Sequence, residues 1–87
     1  MHEFSLMKDL INQISQVAAE HQAKRVVSLR VRLGALAHIS PEHFREHFLE
    51  ATKGGIAENS TLFIEVDDNH QSPTAQDIIL DSIELDS

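Results

Sequence analysis

An α+β fold, with two helices packed on one face of a three-stranded mixed β-sheet in the order α-β-α-β-β, is what the hydropathy pattern of this chain predicts. Three observations point there. Two stretches repeat apolar residues at three- and four-residue steps, three stretches repeat them at every second residue, and the segments between are rich in Gly, Pro, Asn, Asp and Ser.

The first element lies at the amino end. Met7, Leu10, Ile11, Ile14, Val17 and Ala18 fall on one stripe of a helix running from about Ser5 to His21. His21 and Lys24 near its end suit the negative pole of the helix dipole. In "RVVSLRVRLG" the apolar residues Val27, Leu29, Val31 and Leu33 alternate with Ser28, Arg30 and Arg32, the period of a strand with one buried face, and Gly34 closes it. "ISPEHFREHFLEATKGG" reads as a second helix: Ser40 is the N-cap, Pro41 takes the first helical position, Glu42 sits in the positive first turn, and Gly54-Gly55 ends it. Phe44, Phe48 and Ala51 form its inward stripe.

Leu62, Ile64 and Val66 share one face of a second strand, and Ile79, Ile83 and Leu85 are in phase on a third. The third strand carries a conflict, because Asp81 falls on its apolar side while Ile78 and Leu80 fall on the other. A bulge or register change near Asp81-Ser82 resolves it. Nine turn-forming residues, "DNHQSPTAQ", separate the last two strands, so an antiparallel hairpin is the simplest expectation for them. On this reading the face away from the helices carries Val26, Arg30, Arg32, Phe63, Glu65, Ile78 and Leu80. Glu65 is placed to pair with Arg30 or Arg32, and the apolar members call for a cover such as a second copy or a client.

Composition bounds the function. A chain of 87 residues forms one small domain, residues 1–87, and the absence of cysteine excludes disulfides and thiolate zinc sites. No apolar run is long enough to span a membrane, and Glu3, Lys8, Asp9 and Glu20 interrupt the first twenty residues where a secretory signal needs an uncharged stretch; a cytoplasmic address is the expectation. The net charge is -7, and all seven Lys and Arg precede residue 59. A chain this acidic is a poor partner for nucleic acid, which binds through phosphate neutralisation. Neither a nucleophile in a recognisable setting nor a glycine-rich phosphate loop is present, so no enzymatic activity is expected.

The first residues, Met-His-Glu, have a chemistry of their own. Methionine ahead of a bulky residue is usually retained, so the mature chain is expected to start at Met1. The terminal amine and the His2 amide nitrogen then close a five-membered ring on a metal, and the His2 imidazole closes a six-membered ring with the same nitrogen. Glu3 offers a fourth donor through its amide or carboxylate. A planar nitrogen set suits nickel(II) or copper(II) better than zinc or magnesium, and this geometry does not choose between the first two.

Together with that start, "VVSLRVRLGALAHISPEHF" (26–44), "EATKGGIAENSTLFIEV" (50–66) and the closing "DSIELD" resemble the nickel-binding domain of the hydrogenase-maturation metallochaperone family, HypA/HybF. The resemblance implies a cytoplasmic, non-catalytic protein that binds nickel(II) through Met1, His2 and Glu3. It also implies delivery toward [NiFe]-hydrogenase, sometimes urease, with a P-loop GTPase and the hydrogenase large-subunit precursor as partners. Family members normally insert a zinc domain with two Cys-x-x-Cys pairs between the last two strands. Here a short loop at 68–76 without cysteine occupies that place, so no zinc is expected. A relative that binds partners without metal, through the open sheet face and with homodimerisation as one outcome, is the alternative.

Other histidines bear on metal binding as well. His43 and His47 are four apart on the second helix, a spacing that puts two imidazoles on one face; the plain alternative is a pair of surface residues flanking the Phe44/Phe48 stripe. His38 lies in the loop before Ser40. Asp67, Asp68 and His70 form an acidic cluster whose plain reading is a solvated turn.

Overall fold

The computed structural model of the chain describes residues 3–37 and 39–86, with side chains from Ser5 onward. Its elements are α1 (Glu3–Glu20), β1 (Arg25–Leu33), α2 (Pro41–Ala51), β2 (Thr61–Val66) and β3 (Ile78–Asp86), in the predicted order.

Both helices pack on one face of the sheet, as expected. Met7, Leu10 and Ile14 of α1, Phe44 and Phe48 of α2, and Val26, Leu29, Val31, Leu33 and Leu62 of the sheet form one buried cluster. Ser40 caps α2 in extended conformation, its hydroxyl accepting from the His43 amide at 3.1 Å, with Pro41 at the start of the helix. At the other end the helix stops at Ala51, short of the glycines. Thr52 is the cap, and its buried hydroxyl donates to the Phe48 carbonyl at 2.9 Å, while Gly54 takes a φ of 75° in the turn that follows.

The strand order is β2-β1-β3, which corrects the expected hairpin. β1 is central, parallel to β2 and antiparallel to β3. α2 supplies the crossover that a parallel pair requires. The segment between β2 and β3 therefore does not turn back on itself; it passes over the end of β1. The Asp67 amide donates to the Leu33 carbonyl, the Gly34 amide to the Asp77 carbonyl, and the Leu36 amide to the Ala75 carbonyl at 2.6 Å. A Cβ on Gly34 would collide with the Ala75 carbonyl, so this crossing needs glycine there.

The antiparallel register shifts between Arg30 and Val31, which pair with Ser82 and Leu80. Asp81 is the extra residue, a bulge where the sequence conflict asked for one. The bulge also corrects the phase of β3. Ile78 and Leu80, opposite Leu33 and Val31, join Ile83 and Leu85 against the core, while Ile79 pairs with Arg32 on the open face. A second shift between Val26 and Ser28 puts Val26, 1% exposed, into the core and leaves Val27 only half-buried, the reverse of the alternation expected.

With those residues turned inward, the open face is an ionic ladder. Arg30 meets Glu65 at 2.6 Å, Arg32 meets Asp81 at 2.9 Å, Arg25 meets Asp86 at 3.2 Å, and the Ser28 hydroxyl donates to Glu84. The Arg30 guanidinium lies 5.4 Å from the centroid of the Phe63 ring, which covers part of the exposed aromatic. No helix among the described residues is long and apolar enough to cross a membrane.

Candidate metal centre

Both helices start at the same end of the sheet. The carboxyl end of α1 lies by Ile83 and Leu85, since Val17 and His21 share a cavity with them, and Leu85 pairs with Val26 near the start of β1. α1 therefore begins toward the other end of the sheet, where β1 finishes at Leu33. α2 starts there too, after the short segment that follows Gly34. Met7 and Ile11 line a cavity with Ala51, and Met7 lines another, of about 380 Å³, with Glu46, His47 and Glu50. Stepping toward the start of α1 thus steps toward the start of α2. The 67–77 connection crosses at this end as well.

Met1 and His2 lie outside the described residues, and so does His38; Glu3 is described as the first residue of α1, without its side chain. Met7, in the second turn of α1, lines its cavity with His47.

The remaining candidates divide. His43 and His47 are together on α2, with ring centroids 4.5 Å apart and planes at 86°. Asp67, Asp68 and His70 do not form a cage: the Asp67 carboxylate accepts from the Asn69 amide at 2.9 Å, and the His70 Nδ1 lies 3.0 Å from the Asp68 carbonyl. These contacts are those of a turn, the plain reading. No group of three His, Asp or Glu side chains poised around one point occurs among the described residues. One end of the sheet gathers both helix starts because α1 and α2 flank β1 in the chain and each runs back along it.

The surface of α2 is acidic. Glu42, Glu46 and Glu50 lie along α2, and Arg45 is turned away, its guanidinium donating to the Leu62 carbonyl at 3.0 Å. Lys53 meets Glu50 at 2.8 Å. Their hydrogen bond and charge hold the Glu50 carboxyl below the usual carboxylate range and push the Lys53 amine up.

A family model described as "Hydrogenase/urease nickel incorporation, metallochaperone, hypA" matches residues 1–72. The chain belongs to the HypA family. Among curated HypA proteins, the hydrogenase maturation factor HypA of Archaeoglobus fulgidus is 45% identical over 67 residues, which are 77% of this chain and 61% of that protein. That of Nitrosospira multiformis is 38% identical over 65 residues, 75% of this chain and 56% of the relative. The match thus spans about three fifths of the length of these HypA relatives. The solution structure of the nickel metallochaperone HypA from Helicobacter pylori superposes with a TM-score of 0.81 at 16% identity, covering 100% of this chain and 99% of that one. At that identity the likeness establishes the HypA fold alone.

Proposed function

We propose that this chain carries nickel(II) as cargo, held by the Met1 amine, the His2 amide and imidazole, and Glu3, and passes it on during maturation of a nickel enzyme, [NiFe]-hydrogenase or urease. The observation that carries this reading is the family match itself, which begins at the Met-His-Glu start and runs through residue 72. The partners are a P-loop GTPase and the hydrogenase large-subunit precursor, and the whole unit acts as one nickel-binding domain with a short connection at 68–76 and no resident zinc. The role is carriage rather than catalysis, and the setting is the cytoplasm.

The proposed chemistry follows from the donors. Three adjacent nitrogens at a chain end form two fused chelate rings without help from the fold, and an end can swing toward an acceptor more readily than a buried site. Protons compete for the amine and imidazole, so nickel affinity is expected to fall as pH drops toward about 6.

Calorimetric titration with nickel(II) of the chain with its free amino terminus, of His2→Ala, and of a form extended by two leading residues tests the assignment. Both altered forms are expected to lose the tight site. Equal affinity in all three removes the reading.

A further inference from the structure

We propose that His43 and His47 form a second seat for a divalent transition-metal ion, on one face of α2. The segment His43-Phe44-Arg45-Glu46-His47 sorts its side chains cleanly. Phe44 is fully buried in the core, Arg45 reaches the β2 backbone, and the two histidines stand on one face four residues apart. The same spacing carries the two zinc-binding histidines of helical His-Glu-x-x-His sites. Phe44 stands where that motif has its catalytic glutamate, so the seat holds an ion without the base for hydrolysis.

Distance supports the assignment. With metal–nitrogen bonds of about 2.0–2.1 Å and adjacent coordination positions about 90° apart, two bound imidazole rings have centroids roughly 4.5 Å apart. The His43 and His47 rings lie 4.5 Å apart, edge to face, so both imidazoles already reach the same space beside the helix at the separation a shared ion requires. Glu42, Glu46 and Glu50 on the same helix place negative charge around a bound cation, and Lys53 is drawn to Glu50.

The two imidazoles are the donors that the described residues bring together, and water completes the shell. Two imidazoles plus water suit nickel(II), copper(II) or zinc(II), and for nickel(II) they give a six-coordinate, paramagnetic ion. A planar nitrogen site at the amino terminus gives a diamagnetic one. The two seats are therefore separable, and this inference does not depend on the terminal site.

The test is a titration of the isotopically labelled chain with nickel(II) chloride, followed by amide NMR. The expected result is selective broadening of the residue 42–48 amides, abolished in the double variant His43→Gln/His47→Gln and retained in His2→Ala. Amide dispersion in the same spectra reports whether each variant folds. A measurement without substitution accompanies it: zinc(II) chloride is expected to shift the ring protons of His43 and His47 together. The proposal is overturned if the 42–48 amides stay sharp in the unaltered chain, if broadening persists in the double variant, or if the two rings respond to zinc(II) independently.

Discussion

Phe44 and Phe48 stack with ring centroids 6.1 Å apart, and neither is more than 1% exposed. Truncation of Phe44 to Ala removes a full aromatic side chain from the point where α2 meets the sheet. The expected loss is about 3–5 kcal/mol, measured as a shift in the urea midpoint. Leu49 is the contrast. It is 50% exposed, and Leu49→Ala is expected to change stability by no more than about 0.5 kcal/mol. Both expectations were legible in the sequence, because the three- and four-residue spacing separates an inward Phe44/Phe48 stripe from Leu49. Gly34 was legible only in part. Its position at the end of a strand marks a stop, whereas its contact with Ala75 comes from a segment forty residues away that no local pattern reports.

At the scale of elements, α2 was read from its cap and its proline, and the structure places both as expected. Ser40→Ala leaves the His43 amide without its partner and is expected to cost about 1 kcal/mol, visible as a lower thermal midpoint. At the far end of the helix, the Glu50–Lys53 pair makes a pH-dependent contribution of known sign. A carboxyl held low stabilises the fold above the unfolded glutamate value and stops doing so as pH falls through the folded one. Lys53, held high, contributes below the ordinary lysine value and loses that at more alkaline pH. The difference in urea midpoint between the unaltered chain and Glu50→Gln is thus expected near neutral pH and should vanish as pH falls well below about 4.3. Both groups are exposed, so salt at about 1 M should also erase it. β3 shows the limit of pattern reading for elements. The conflict at Asp81 announced the bulge, yet the phase on its near side came out inverted, because alternation cannot say on which side of a bulge the register is the native one.

For the whole molecule, the fold class followed from periodicity, but the neighbour relations of the strands did not. Alternation gives a strand its faces and is silent about its edges. A linker of turn-forming residues suits a hairpin and a crossing equally well. The arrangement that forms puts the most evenly patterned strand, β1, in the middle, with Leu29, Val31 and Leu33 flanked on both sides by apolar partners. The helix starts do not depend on this outcome, since α1 and α2 flank β1 in the chain and both begin where β1 finishes.

That topology sets a length requirement on residues 67–77. β2 and β3 lie on opposite sides of β1, about 9–10 Å apart, twice the spacing a two-residue hairpin spans. Replacing residues 68–76 by a two-residue turn removes the Leu36–Ala75 contact and imposes a hairpin on strands that are not neighbours, so cooperative unfolding is expected to be lost, an outcome a β2–β3 hairpin would not produce. Lengthening is a different matter. Asp68 through Gln71 are exposed, while Ala75 is buried and held by the Leu36 amide. Extra residues placed between Asn69 and Gln71 leave that anchor intact, and doubling the connection adds only about 0.6 kcal/mol of closure entropy. Thermal unfolding of a chain carrying a flexible eleven-residue insertion there, about the length of the connection itself, is expected to stay cooperative with a midpoint lowered by a few degrees. A collapse of the transition on insertion would mean that the 68–71 turn, and not the Ala75 anchor, holds the crossing in place.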